Sequence, residues 1–205
     1  MSVVVFLKIF SVCLLGAMSP GPSMVVVINN ALFKSRFHGI LTSIGHGVGI
    51  GIYAFFAVLG IATIIKTNIF VFNGIKFLSI VFLIYLGVRS IMTSDSRLDF
   101  DVKDLDGKIT SFFQGLSISL LNPKIFVWFI AVYSQFMSID NDKIFNTYLI
   151  LTASIVDMVW YMTLTFLVTT IMAIDFIKNK SKLLHKFVGY IFIIIGIFLI
   201  LEFFI

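Results

Sequence analysis

One cysteine and three prolines are all that these 205 residues hold of either type, and only 12% of the chain is charged. The lone thiol, Cys13, has no second cysteine to join, which removes intramolecular disulfides and dithiol redox chemistry. Charge this sparse also excludes an ordinary soluble domain. Such domains are about a quarter charged and roughly 45–50% apolar, whereas here 60% of residues are hydrophobic and the mean hydropathy is +1.10. Metal and nucleophile chemistry are equally short of parts. His38, His46 and His185 stand in separate segments and no His-Glu-x-x-His occurs. A membrane-embedded hydrolase would need a ligand cluster, or a nucleophile beside an oriented base. Neither an enzyme nor a cofactor is expected.

The net charge is +5 and the pI about 9.4, a balance that in other settings marks a nucleic-acid partner. Here the lysines and arginines lie in short stretches between apolar segments. That placement is a topology signal of a membrane protein, and no nucleic acid is expected as a partner.

Long apolar runs fill the rest. Ile9 to Phe33 and Phe37 to Ile65 contain no charge, and Ile109 to Pro123 is a shorter run of the same kind. A helix needs about 20 mostly apolar residues to cross a hydrocarbon core of about 30 Å. Hydropathy and charge breaks predict spans at 3–32, 39–65, 67–91, 111–137, 144–172 and 184–205. The expected fold is an all-α integral membrane protein, a single transmembrane domain of six helices. The N-terminal stretch lacks a basic n-region, and Gly16-Ala17-Met18-Ser19 runs directly into Pro20, so the first segment is read as a retained helix.

The loops after the first, third and fifth helices hold Lys34, Arg36, Arg89, Arg97, Lys103, Lys108, Lys178, Lys180, Lys182 and Lys186. The opposite side has little beyond Lys66 and Lys143. The positive-inside rule puts the three basic loops in the cytoplasm and both termini outside. The segment 93–108 is then a cytoplasmic linker between halves of about 1–92 and 109–205. Its Asp95, Asp99, Asp101, Asp104 and Asp106 lack the order and closing Glu of an EF-hand, so it reads as a solvated mixed-charge loop.

All three prolines fall inside predicted spans: Pro20 and Pro22 in the first helix, Pro123 in the fourth. Proline removes a backbone donor and clashes with the carbonyl four residues back, so each site should kink or unwind its helix. Within hydrocarbon, unwound backbone survives only when buried in protein or facing a watery cavity. Ser19-Pro20-Gly21-Pro22 and Asn122-Pro123-Lys124 are therefore candidate cavity walls. Pro123 follows Pro20 by 103 residues, and each opens a three-helix half. A repeat with an odd number of spans inserts its second copy upside down. Two inverted three-helix repeats with broken helices one and four are the expectation, with a substrate site where the breaks meet near the midplane.

Asp157 lies near the centre of the fifth helix, on a face with Asn146, Ser154, Tyr161, Thr165 and Thr169. An ionisable group at that depth is costly and marks an ion path, a proton relay or a substrate contact. His46 shares a face of the second helix with Thr42, Gly49 and Tyr53; it is either a hydrogen-bonded structural residue or a titrating one. Gly45, Gly47, Gly49 and Gly51 form two interleaved Gly-xxx-Gly spacings suited to close helix packing. Lys124, mid-span beside Asn122, is expected to pair with a carboxylate or line the cavity.

Taken in order, these residues resemble the LysE/RhtB family of amino-acid exporters over nearly the whole chain. The likeness rests on Ser-Pro-Gly-Pro at 19–22 followed by Asn30-Ala31-Leu32, and on the glycine-rich second helix. It extends through Lys76-Phe77 and Tyr85-Leu86-Gly87 in the third helix, then Phe113 through Asn122-Pro123-Lys124 to Gln135-Phe136 in the fourth. Asp157 corresponds to an acidic residue that the family commonly has in helix five. The resemblance implies secondary export of amino acids or close analogues across the bacterial inner membrane, driven by protons, by a monomer or homo-oligomer. The candidate substrate-binding or translocation residues are Ser19, Pro20, Gly21, Pro22, Asn30, His46, Asn122, Pro123, Lys124 and Tyr161, with Asp157 carrying the coupling proton. His46 is not part of the family pattern, and the solute stays open. The alternative, a divalent-cation or heavy-metal exporter, would rely on one Asp and one His within the bilayer, where transition metals favour several Cys, His or carboxylate ligands.

Overall fold

A computed structural model of the chain describes residues 3–92, 107–137, 143–170 and 174–204, and these are helical apart from short junctions, with no strand among them. The elements are α1 (Val3–Met18), α2 (Pro22–Asn29) with a π-helical turn at Asn30–Lys34, α3 (Arg36–Thr67) and α4 (Ile69–Met92). They continue with α5 (Lys108–Leu121), α6 (Pro123–Phe136), α7 (Lys143–Thr170) and α8 (Ile174–Phe204). The acidic stretch with Asp95 to Asp106 lies outside the described residues.

The six predicted spans correspond in order to α1 with α2, α3, α4, α5 with α6, α7 and α8. By length and composition, three helices among the described residues can cross a membrane: Arg36–Gly60 within α3, then α4 and α7. The pair α1 and α2 makes a fourth if its bend of 69° is one broken span. α8 starts ten residues earlier than its predicted span. Lysine is a good helix former, so the basic stretch at its start extends the helix although hydropathy places it outside the hydrocarbon.

Both proline sites interrupt the chain as local sterics require. A residue before proline is driven out of the α region. Gly21, before Pro22, is fully extended with φ 177° and ψ −172°, and Asn122, before Pro123, has φ −82° and ψ 108°. Pro22 and Pro123 each open a new helix, where the missing N–H costs nothing. The Asn122 side chain caps α6 by accepting from the Lys124 backbone N–H at 3.0 Å.

The interleaved glycines of α3 serve two neighbours. A β-carbon on Gly45 would strike the Phe112 carbonyl of α5, and one on Gly49 would strike Ser119. One on Gly47 would lie 2.7 Å from Met158 Cβ of α7, and one on Gly51 3.2 Å from Ser154 Oγ. α3 therefore touches α5 on one face and α7 on the other, with His46 between. Arg36, at the start of α3, donates to Thr169 at 2.9 Å and Thr170 at 3.1 Å at the end of α7, so the two helices run antiparallel. α4 and α8 cross at a second pair of small residues: a β-carbon on Gly189 would lie 2.6 Å from the Gly87 carbonyl oxygen.

Candidate functional site

The two chain breaks meet. The Lys124 ammonium, on the first turn of α6, donates to the Ser19 hydroxyl, to the Pro20 carbonyl at 3.3 Å and to the Ser19 carbonyl at 3.5 Å. The Asn122 amide donates to the Ser23 hydroxyl at 3.3 Å. The second break thus supplies donors to carbonyls that the first has freed. Such pairing is what lets non-helical backbone exist at membrane depth.

Across the cavity from this junction, His46 Nδ1 lies 2.6 Å from Asp157 Oδ2, and both side chains are buried. The Tyr161 ring stands edge-on against the imidazole, with centroids 4.7 Å apart. His46 Nε2 is buried and has no hydrogen-bond partner among the described residues. The pair is thus anchored at one end and open at the other. Of the two expectations for Lys124, pairing with a carboxylate or lining the cavity, the fold realises the second: Asp157 goes to His46, and Lys124 lines the cavity with its head toward the broken backbone.

Ser19, Gly21, His46, Asn122, Lys124, Asp157 and Tyr161 line one cavity of about 50 Å³. Pro20 contributes its carbonyl to Lys124, while Pro22 and Pro123 contribute the helix starts. Asn30 is elsewhere. It is the buried first residue of the π-helical turn and donates to Thr42 at 2.9 Å and Gln114 at 2.8 Å, tying the end of α2 to α3 and α5. The other wall went unread in the sequence: Ile50, Ile125, Trp128, Phe129 and Ala153 make it apolar. The one available signal was nearness in the chain, since Ile125, Trp128 and Phe129 follow the second break within two turns.

Trp128 also borders an apolar crevice of about 800 Å³ shared with α1, α4 and α8. Its ring fits against Gly16, where a β-carbon would come within 2.6 Å. The indole N–H is buried without a partner among the described residues. No three His, Cys, Asp or Glu side chains among the described residues come together in a group able to hold a metal ion.

A helical protein with a cavity walled by two proline-broken helices has an architecture that small-molecule transporters use. Its family follows from sequence comparison: residues 14–203 match the model of the LysE type translocators, and the chain belongs to that family. It is 29% identical to a leucine efflux protein of Salmonella typhimurium over 181 residues, 85% of this chain and 84% of the relative. It is 27% identical to the membrane protein YrhP of Bacillus subtilis over 195 residues, 87% of this chain and 90% of the relative. No solved structure matches. The chain is therefore a multi-pass membrane protein of a transport family, and that family is not a class of enzymes.

Proposed function

We propose that this chain exports amino acids with apolar side chains, leucine or its close analogues, across the bacterial inner membrane in exchange for protons. The observation that carries this reading is the joining of the two breaks into one cavity with a polar end and an apolar wall. An amino acid has the same division. Its ammonium suits freed carbonyls, its carboxylate suits helix N-termini and a cation, and its side chain suits Ile50, Ile125 and Phe129. Leucine efflux by relatives agrees with that wall.

The transport motion we infer is rocking of two inverted halves of three spans each. Three pairs of residues support it. Pro20 and Pro123 are 103 residues apart, Gly51 meets Ser154 at the same spacing, and Gly87 meets Gly189 at 102. Equivalent residues of a two-fold repeat touch only where the axis passes, and these contacts fall in the α3–α7 and α4–α8 crossings. The size of the cavity also calls for movement. A water needs about 10–15 Å³ of such space, whereas an engineered cavity that holds benzene measures about 150 Å³. At about 50 Å³ the cavity admits a few waters, and leucine needs it widened, most directly by movement of Trp128 toward the apolar crevice.

Metabolite profiling of cells overexpressing the chain tests the class. Leucine or another apolar amino acid should accumulate in the medium several-fold above empty vector. Asn122→Leu and Pro20→Ala should reduce that export while the protein still inserts. A changed cellular content of a divalent metal with unchanged amino acids would favour the metal alternative instead.

Orientation is tested separately. With Cys13 replaced, single cysteines at Lys34, Arg97 or Lys180 should resist an impermeant thiol reagent in intact cells and react after permeabilisation. Labelling in intact cells would invert the proposed topology, in which both termini are outside.

A further inference from the structure

We propose that the Lys124 ammonium is a resident stand-in for the substrate's ammonium, and that an amino acid binds by exchange. In this scheme the substrate's ammonium takes the seat at Ser19 and Pro20, and the displaced Lys124 takes its carboxylate. The proposal rests on the exporter reading above and assigns the recognition step within it.

The seat is a product of the first break. Ser19 and Pro20 lie where α1 has ended and α2 has not begun, and Pro22 has no N–H to offer backward. Their carbonyls and the Ser19 hydroxyl converge on one cation, Lys124 Nζ. An alkylammonium carries one positive charge and three donors with no acceptor, whether it ends a lysine or sits on an amino acid's α-carbon. The seat therefore cannot tell the two apart by hydrogen bonding.

Lys124 is also short of an anion. Among the described residues it has no carboxylate partner, and the carboxylate in the same cavity, Asp157, is engaged by His46. A cation held by neutral acceptors alone gains when a carboxylate arrives, because the carboxylate adds the attraction of a full opposite charge that carbonyl and hydroxyl dipoles lack. Two ammonium groups cannot share the seat. The lysine stem has four rotatable carbons, so the head can leave while its backbone stays capped by Asn122. A zwitterion brings both the competitor and the compensation, and the cavity's net charge is unchanged. An amine without a carboxylate brings only the competitor.

The exchange predicts a reversal of ligand preference, measured on the purified chain in lipid nanodiscs by thermal stabilisation or tryptophan fluorescence. The wild type should prefer leucine over isoamylamine, its decarboxylated counterpart, by at least about tenfold. Lys124→Met keeps an apolar stem but empties the seat and removes the carboxylate's partner, so isoamylamine should then bind better than leucine. Ser19→Ala should weaken both ligands without reversing their order. A Lys124→Met protein that still prefers leucine overturns the proposal while leaving the exporter reading intact. A wild type that binds isoamylamine as well as leucine does the same, and this arm can overturn the proposal even where Lys124→Met does not fold. Failure of the wild type to bind any amino acid of a full panel would sink the exporter reading and the proposal together.

Discussion

Asp157→Asn should give a protein that still exchanges leucine between the two sides of a vesicle but cannot concentrate it when a pH difference is the only drive. The carboxylate is buried against His46 at 2.6 Å, in the cavity where substrate is proposed to bind. His46 Nε2 is buried with no hydrogen-bond partner among the described residues, so that nitrogen is left for a proton or a bound group once the cavity widens. Asparagine keeps the size and can accept from Nδ1–H, yet it has no proton to give. In proteoliposomes, counterflow should persist while driven accumulation drops at least about tenfold, a change of roughly 1.4 kcal/mol in the step concerned. Accumulation against a gradient by Asp157→Asn vesicles under a pH difference alone would refute proton carriage by this residue. A purely structural Asp157 predicts that counterflow and driven transport fall together.

Gly115→Val should have the largest effect on folding. A β-carbon at Gly115 would strike the Thr42 carbonyl oxygen and come within 2.9 Å of the His46 backbone nitrogen. The obstacle is backbone on both counts, so no rotamer change relieves it, and α3 and α5 must separate. Overpacking in a core typically costs 1–3 kcal/mol where side chains can yield, and roughly the upper end or beyond is expected where they cannot. Close approach at small residues is a main source of helix association in a bilayer, which offers little hydrophobic drive between helices. The variant should lose the monodisperse peak in size-exclusion chromatography, or melt far below wild type. Gly60→Ala and Gly74→Ala are the controls. A β-carbon at either meets nothing within 4 Å, and alanine is the better helix former by about 0.5–1 kcal/mol. A Gly115→Val protein as stable as those controls would refute the tight α3–α5 crossing.

Much of the site was legible before any fold was known. Ser19-Pro20-Gly21-Pro22 and Asn122-Pro123-Lys124 announced themselves because proline's constraints act within a few residues of itself, whatever lies around them. Asp157 announced itself by cost, since a carboxylate amid apolar residues is out of place unless partnered. The glycine spacings of α3 foretold close packing but not which helix each pair would meet. Asn30 carries no such local mark of depth or direction. It joined the candidates through the family resemblance, as part of Asn30-Ala31-Leu32, and the fold has it donate to Thr42 and Gln114 instead.

By itself the sequence determined the membrane habit, the approximate helices and the two points where the chain cannot stay helical. These are properties of short stretches, set by transfer from water to hydrocarbon and by the sterics of one ring. Only the tertiary structure decided that His46 holds Asp157 across 111 positions and that Lys124 reaches Ser19 across 105. Only the fold, too, made Ile50, Trp128 and Phe129 one wall. The reason is geometric: which residues of two distant helices face each other depends on the rotation and crossing point of each pair. Those are set jointly by the contacts that glycines of α3 and α5 make with each other's helix and with α7, which no single stretch contains.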